Sequence, residues 1–269
     1  MSAKFFNSWL WDNDDFVPAE GLPFTDRGVR FGMSVFETVR VVSGRAQFWT
    51  EHTNRLKTAV TLCGLQLFDE ALEKAKERLL TESLNGVARV YVTAGDGGPE
   101  AAVTESRVAL LVEERARNLP NGYSVTVSDQ IHLPLFGGLK TANYWNHAES
   151  LRAAKLLGAN EALLCGTSGF VISACMANVF LHTPKGWSTP RLANGARDGV
   201  IRNWVLERFR VTEADIHATA LDEVDAGFLT SSWLGVMPIN FLAGRELKQS
   251  SELLALRNAF EGEGALENL

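Results

Sequence analysis

The clearest alternation of apolar and polar residues runs from Ser34 to Val42, and it predicts a half-buried strand. Ser43 and Gly44 favour a turn, so Ala46–Trp49 is expected to return as the second arm of a hairpin. The rest of the first 115 residues gives further patterns. They predict a helix from Thr50 or Thr53, as cap, to Cys63, a helix over Glu70–Glu82, and strands over Val87–Ala94 and Arg107–Glu113.

The stretch 114–122 has no periodicity and carries Pro and Gly, which indicates a linker. We therefore expect a first domain over residues 1–115, a linker over 116–122 and a second domain over 123–269. The second region again mixes both element types. Strands are predicted over 123–127, 161–164, 178–182, 228–231 and 236–241, and helices over 145–157, 198–208 and the last twenty residues. Strands and helices mixed in two blocks predict an α/β or α+β protein.

Composition narrows the function classes. The 269 residues are 46% hydrophobic and 22% charged, as in a folded globular chain, and the net charge is -6. Without a basic block, nucleic acid and an anionic membrane surface are not expected as partners. There is no apolar run of about 18 residues and no signal-peptide pattern at the N-terminus, so we expect a cytoplasmic protein. Three cysteines without CxxC spacing, and five histidines without i, i+4 pairing, predict neither disulfides nor a metal site.

Three places in the sequence are candidates for a chemical role on the basis of their residues alone. The Gly95–Pro99 stretch does not match a phosphate loop in spacing, and a hairpin turn is favoured. His52 is interpreted as a polar surface or capping residue. Lys140 follows an apolar, glycine-containing turn, and such surroundings make an amine nucleophilic towards a carbonyl cofactor. A solvated surface lysine is the alternative interpretation.

Several short sequence segments, taken in chain order, resemble the conserved segments of a known enzyme family. They are Asp26–Gly32 with Val35–Arg40, Glu51–Leu56, Leu139–Tyr144, Gly158–Leu164, Ala177–Phe180, Gly199–Arg202 and Phe228–Pro238. The order and spacing resemble the fold-type IV pyridoxal phosphate enzymes, the class-IV aminotransferases. That family includes branched-chain and D-amino-acid aminotransferases and 4-amino-4-deoxychorismate lyase. The resemblance covers about residues 20–245.

The resemblance implies a small N-terminal α/β domain and a larger, barrel-like α/β domain that holds Lys140. It also implies pyridoxal 5'-phosphate as cofactor, a small amino-acid-like substrate and a homodimer. Lys140 would form the Schiff base and then move the proton at the substrate's Cα. The implied phosphate ligands are the guanidinium of Arg55, the backbone N–H groups of Val200 and Ile201, and the hydroxyl of Ser232. Tyr144 would donate a hydrogen bond to the cofactor's phenolate oxygen.

The sequence departs from the family at the ring nitrogen. Ser173 stands where relatives carry a Glu that keeps this nitrogen protonated, so the cofactor is expected to be a weaker electron sink. On the expected substrate side lie Phe36, Arg89 and Ala94, and many relatives have Arg in place of Ala94. The substrate is therefore not expected to be a standard one.

Three reactions stay open. A lyase would eliminate pyruvate from 4-amino-4-deoxychorismate and release 4-aminobenzoate for folate synthesis; Thr38, as in the lyases, favours it. An aminotransferase acting on branched-chain or D-amino acids is the second, and Arg89 favours the branched-chain type. A cofactor-binding protein with little catalysis is the third, and Ser173 is its motive.

Overall fold

The structure, a computed structural model, describes residues 6–82 and 84–266. The chain divides into two compact units. The first unit runs to Asn118 and includes the short segment Lys140–Asn143, and the second comprises Leu119–Leu139 and Tyr144–Leu269. The expected domain boundaries, and the expected place of Lys140 in the C-terminal domain, stay predictions.

Backbone pairing joins segment 140–143 to the first unit. The N–H of Phe36 donates to the carbonyl of Lys140 over 2.9 Å, and the N–H of Ala142 donates to the carbonyl of Ser34 over 3.1 Å. Val35 and Thr141 form an antiparallel bridge between these two bonds. Segment 140–143 therefore belongs to the edge of the first sheet, although its neighbours in sequence belong to the second unit.

The first unit is built on one antiparallel sheet. In chain order its elements are β1 (Phe6–Asp12), β2 (Asp15–Pro18), α1 (Arg27–Phe31), β3 (Ser34–Val42), β4 (Arg45–Ala46), α2 (Trp49–Leu62), α3 (Asp69–Glu82), β5 (Gly86–Thr93) and β6 (Arg107–Glu114). The strand order is β2-β1-β6-β5-β3-β4. The long central strand β3 has the bounds that its alternation predicts, and it pairs with β5 along eight residues.

Helix α2 begins without the predicted side-chain cap. Its N-cap is Phe48, in the left-handed region at φ 52°, and no side chain caps the helix. Thr50 and Thr53 lie inside the helix, where the Thr53 hydroxyl donates to the carbonyl of Thr50. The tight turn after β4 therefore fixes where the helix starts. The apolar face predicted for the helix is present, since Leu56, Ala59 and Val60 are buried.

The loop between β5 and β6 surrounds a buried arginine. Arg27 is fully buried on α1, and its guanidinium donates to the carbonyls of Ala94, Gly95 and Ala101. Asp26 caps α1 by accepting from Gly28 N and also accepts from the Arg107 guanidinium. The glycine-rich stretch 95–99 is thus part of a hairpin connection, as favoured, and its carbonyls bind a cation of the protein.

The second unit is built on a mixed sheet. Its elements are β7 (Tyr123–Ile131), α4 (Trp145–Leu156), β8 (Glu161–Cys165), β9 (Val171–Ala174), β10 (Asn178–Thr183), β11 (Gly186–Pro190), α5 (Val200–Arg208), β12 (Thr212–Ala214), β13 (Ala226–Ser231), β14 (Gly235–Leu242), β15 (Arg245–Glu246) and α6 (Ser251–Leu266). The order is β12-β11-β10-β13-β14-β7-β8-β9, and β15 pairs with β14. Terminal strand β9 also lies against β10 and β11, so the sheet curls back on itself.

The interior of this curled sheet is apolar. Strands β7, β8, β10, β13 and β14 all contribute to a single buried cluster, which includes Val125, Leu163, Val179, Leu229 and Ile239. Such alternating inward positions are expected when one face of a sheet closes on a core. Among the residues that the structure describes, no helix is long and apolar enough to cross a bilayer.

The buried arginine gives a stability prediction. Arg27→Met removes the side-chain donor of the Ala94, Gly98 and Ala101 carbonyls, whereas the Gly95 carbonyl keeps its bond from the backbone N–H of residue 27. The free energy of unfolding should fall by about 3 kcal/mol or more, because each buried acceptor left unpaired costs roughly 1–3 kcal/mol. The measurement is the urea midpoint of wild type and variant. Arg30→Met is the matched control, since Arg30 is exposed on the same helix and donates to one carbonyl, that of Gly97. Equal losses in the two variants would contradict the assignment.

Candidate active site

Lys140 lies against an aromatic ring at the edge of the first sheet. Its Nζ is 4.0 Å from the ring centroid of Phe36, which itself stacks on Tyr91 at 5.0 Å. The lysine is half-buried rather than solvated. Contact with an aromatic face and partial loss of water both change the reactivity of an amine. The setting of Lys140 is therefore the partly apolar one that its sequence context predicts.

Two further predicted residues share this face of the sheet. Side chains alternate along a strand, so Phe36 and Thr38 point to the same side of β3. Across the ladder Thr38 pairs with Arg89. The Arg89 guanidinium forms an ion pair with the buried carboxylate of Glu113, at 3.2 Å. Thr38 thus has a half-buried hydroxyl on the Lys140 side of the sheet, whereas the Arg89 guanidinium is already paired with a carboxylate of the protein.

The opposite face of β3 carries a buried charge cluster. The carboxylate of Glu37 accepts from Arg55 Nε at 2.6 Å and from Arg55 Nη2 at 2.7 Å. Nδ1 of His52 lies 2.7 Å from Glu37 Oε2. His52 is 1% exposed, so its interpretation as a surface or capping residue is wrong. The reason is its pairing with Glu37, whose role the sequence analysis did not identify; an acid inside an apolar strand was the available signal.

The electrostatics of this cluster favour an ionised acid beside a neutral imidazole. Burial by itself raises the pKa of Glu37, but the charge of Arg55 and the bonds from His52 outweigh it and hold that pKa well below its usual range. Burial lowers the pKa of His52; Glu37 opposes this, while Arg55 and Lys140 add to it. Two of the five N–H donors of Arg55 are used by Glu37.

Ala94, predicted on the substrate side, is fully buried. Its N–H donates to the carbonyl of Met33, and its carbonyl accepts from Arg27. A small residue is compatible with this packing, and the side chain offers no polar group to a ligand.

The predicted phosphate-binding turn lies in the second unit, where α5 begins. Gly199 is the N-cap, no side chain caps the helix, and Val200 and Ile201 form its first turn. A Cβ on Gly199 would come within 2.0 Å of Asn178 Oδ1, so a side chain does not fit there. Uncapped N–H groups at a helix start favour an anion. Ser232, the other predicted donor of this unit, is half-buried in the turn between β13 and β14.

Ser173 lies in a fully buried strand. It pairs with Leu164 across β8 and β9, and every residue of β9 is buried. The buried carboxylate of Glu161 on β8 does not substitute for the missing acid, because it accepts from the backbone N–H groups of Ala162, Cys175 and Met176. Glu161 thereby fixes the turn between β9 and β10.

Tyr144 is held by a residue that the sequence analysis missed. Its hydroxyl accepts from Arg197 Nη1 at 2.8 Å, and its ring stacks on His147 at 4.7 Å. The ring of His147 in turn meets that of His132 at 4.5 Å. Arg197 stands two positions before Gly199, and an arginine directly before a phosphate-binding turn was the signal available in the sequence. Within the described ranges 6–82 and 84–266, no His, Cys, Asp and Glu cluster could hold a metal ion.

Comparison with known families identifies the class. The family model for amino-transferase class IV matches residues 34–241, well over half of the chain. The chain therefore belongs to the class-IV aminotransferase family and is an enzyme of this family, with pyridoxal 5'-phosphate as its cofactor.

Three relatives show the range of the likeness. Aminodeoxychorismate lyase of Vibrio harveyi is 25% identical over 273 residues, which is 94% of this chain and 98% of the relative. D-alanine aminotransferase of Listeria monocytogenes is 27% identical over 239 residues, 81% of each chain. The crystal structure of a Brucella abortus aminotransferase bound to pyridoxal phosphate superposes with a TM-score of 0.83 at 21% identity, covering 96% of this chain and 99% of that one. The predicted fold class is confirmed by this likeness.

The residues present fit the cofactor in two of three respects. A half-buried lysine can react with an aldehyde, and an uncapped helix start with Gly199 can accept a phosphate. The ring nitrogen is the exception, because the side chain at position 173 is a hydroxyl instead of a carboxylate.

The buried histidine predicts how stability depends on pH. His52 has a lowered pKa in the fold, so its contribution is complete above its ordinary value of 6.5 and is lost as the pH falls, because the unfolded chain then takes up the proton more readily. Glu37, also lowered, adds a second loss below 4.5. Urea midpoints between pH 7.5 and 5.5 should fall in wild type and fall less steeply in His52→Gln. An unchanged slope in that variant would contradict the assignment.

Proposed function

We propose that this enzyme is a lyase that eliminates pyruvate from 4-amino-4-deoxychorismate and releases 4-aminobenzoate. The observation that carries the proposal is the position of Thr38, whose side chain is half-buried on the same face of β3 as the ring that contacts Lys140. A hydroxyl on the Lys140 side suits a reaction in which a proton leaves one carbon and a C–O bond breaks at the next.

The state of Arg89 supports a lyase over a branched-chain aminotransferase. Arg89 was the residue that favoured the aminotransferase, as a candidate for binding substrate. Its guanidinium is 3.2 Å from a carboxylate oxygen of Glu113, which is buried. An arginine already neutralised by an acid of the protein binds a further carboxylate less strongly. The comparison with aminodeoxychorismate lyase, which spans 98% of that relative, agrees with this choice.

Ser173 also fits an elimination. Pyridoxal phosphate, when bound, withdraws electrons from the carbon that carries the substrate's amine. In the proposed reaction that carbon loses its proton, the ether bond to the neighbouring ring carbon breaks, and the ring becomes aromatic. Aromatisation supplies a driving force that transamination lacks, so a weaker electron sink is sufficient. A serine at position 173 is then tolerable.

The other predicted site residues would bind the cofactor, move a proton or orient the leaving group. The amine of Lys140 would hold the cofactor and, once displaced by substrate, take the proton from the amine-bearing carbon. The Thr38 hydroxyl would orient the departing enolpyruvyl oxygen. Arg55, the first turn of α5 at Val200 and Ile201, and Ser232 would bind the phosphate. Glu37 would orient Arg55 for that contact through its two hydrogen bonds.

An aminotransferase acting on D-amino acids is the second candidate, and the 27% identity with the Listeria D-alanine enzyme favours it. The two reactions differ in stoichiometry. A lyase releases pyruvate and 4-aminobenzoate in equal amounts and needs no acceptor, whereas an aminotransferase needs a 2-oxo acid to complete its cycle.

The test is an assay of the loaded enzyme with 4-amino-4-deoxychorismate and no added 2-oxo acid. We expect equimolar pyruvate and 4-aminobenzoate. Thr38→Val, nearly isosteric, should lower kcat by about 10²-fold, the scale of one positioned proton-transfer group, while Thr38→Ser stays within about tenfold of wild type. Turnover of D-alanine with a 2-oxo acid, with no aromatic product from the first substrate, would establish the second candidate. Equal activity of Thr38→Val and wild type would remove Thr38 from the mechanism.

A further inference from the structure

Arg197 forms its hydrogen bond with a phenol. Within the described ranges, no carboxylate oxygen lies within ion-pair distance of its guanidinium, and the side chain is half-buried. Its Nη1 donates a hydrogen bond to the Tyr144 hydroxyl, at 2.8 Å. In a chain of net charge -6, a half-buried arginine that serves a phenol instead of an acid calls for a functional explanation.

The backbone of Arg197 is fixed from the strand that follows Ser173. Asn178 Nδ2 donates to the Arg197 carbonyl at 2.8 Å, and the Asn178 side chain fills the space that a Cβ on Gly199 would need. The same asparagine therefore holds both Arg197 and the start of α5. This arrangement determines where the guanidinium can lie relative to Tyr144.

The ring of Tyr144 packs in a group with two imidazole rings. His147 stacks on the phenol ring, and His132 meets His147 edge-on. Burial, with the charge of Arg197 adding to it, lowers the pKa of His132 and so favours its neutral imidazole. Arg197 supplies a positive charge at the Tyr144 hydroxyl.

We propose that Arg197 is a positioning residue that orients the Tyr144 hydroxyl to donate its proton to the phenolate oxygen of the cofactor. The physical reason is directional. A phenol has one O–H and two lone pairs, and Arg197 occupies a lone pair as donor, so the proton of Tyr144 is directed to another acceptor. This inference rests on the proposed contact between Tyr144 and the cofactor.

A consequence links Arg197 to Ser173. A positively charged group behind the phenol strengthens donation to a phenolate and so stabilises negative charge on that side of the cofactor ring. Relatives place an acid at the ring nitrogen for the same purpose. Arg197 thus offsets part of what Ser173 does not provide, from the opposite polar group of the ring.

The test is a double-mutant cycle on the loaded enzyme, read from the pH midpoint of the absorption change of the bound cofactor. A hydrogen-bond donor at the phenolate disfavours the protonated form, and Arg197 orients that donor, so Arg197→Gln should move the midpoint upward by roughly one pH unit. Tyr144→Phe should also move it upward. The double variant should match Tyr144→Phe alone, because Arg197 acts through the hydroxyl.

Two variants control for charge and for general damage. Arg197→Lys keeps the charge and should stay close to wild type. Arg191→Gln removes an exposed arginine of the same loop, paired with Asp215 at 3.5 Å, and should leave the midpoint unchanged. A second double-mutant cycle uses the dissociation constant of pyridoxal phosphate, measured by quenching of tryptophan fluorescence. This cycle needs no pH titration, so it can be measured even if the midpoint of a variant lies outside the pH range in which the protein is stable. Each single variant should weaken binding, and the double variant no more than Tyr144→Phe.

Additive effects in both cycles would overturn the inference, since Arg197 would then act independently of Tyr144. A normal midpoint and normal affinity in Arg197→Gln would also overturn it. If Tyr144→Phe changes neither quantity, the cofactor contact of Tyr144 is wrong and the inference falls with it. Absence of lyase turnover, by contrast, affects the proposed reaction and leaves these spectra and affinities unchanged.

Discussion

Two backbone hydrogen bonds between the start of β3 and segment 140–142 determine where the Lys140 side chain lies. They join Phe36 to Lys140 and Ala142 to Ser34, with the Val35–Thr141 bridge between them. Opposed residues of an antiparallel pair share a face, so this register puts Lys140 over the ring of Phe36 and on the Thr38 side of the sheet. A shift of one residue would turn the lysine to the other face, where Glu37 and Arg55 already pair.

Buried charges organise the rest of the molecule. Arg27 binds loop carbonyls, Glu37 joins Arg55 to His52, and Glu161 accepts from the turn that follows Ser173. Removing one member of such a group leaves an uncompensated charge or polar atom, which costs more than the intact pair contributes. Each cluster therefore acts as a geometric constraint, and each lies in or beside a segment on which the family resemblance is based.

Local patterns were sufficient for much of the fold. The alternation of Ser34–Val42 predicted β3 with its observed bounds, and the apolar face of α2 is buried as expected. The features that the sequence did not reveal depend on distant partners. The start of α2 is set by the backbone turn at Phe48, His52 is buried because Glu37 lies 15 positions earlier, and Lys140 pairs with a strand about a hundred residues away.

The candidate site likewise has residues that the sequence predicted and side-chain contacts that it did not predict. Family blocks pointed to Lys140, Arg55, Tyr144 and the α5 turn, and these roles stay predictions. The side-chain partners of the site residues were not predicted from the sequence. Arg55 is bound by Glu37, Arg89 by Glu113, and Tyr144 by Arg197. Side-chain partners of this kind depend on which strand faces are brought together, and no local pattern encodes that.

The central claim is that Lys140, placed by its pairing with β3, is the lysine that carries the cofactor. Borohydride reduction of the enzyme loaded with pyridoxal phosphate, followed by peptide mapping in a mass spectrometer, measures this directly. We expect one labelled peptide, which contains Lys140, and no label in Lys140→Ala. A label on another lysine, such as exposed Lys155, or a label that persists in Lys140→Ala, would contradict it.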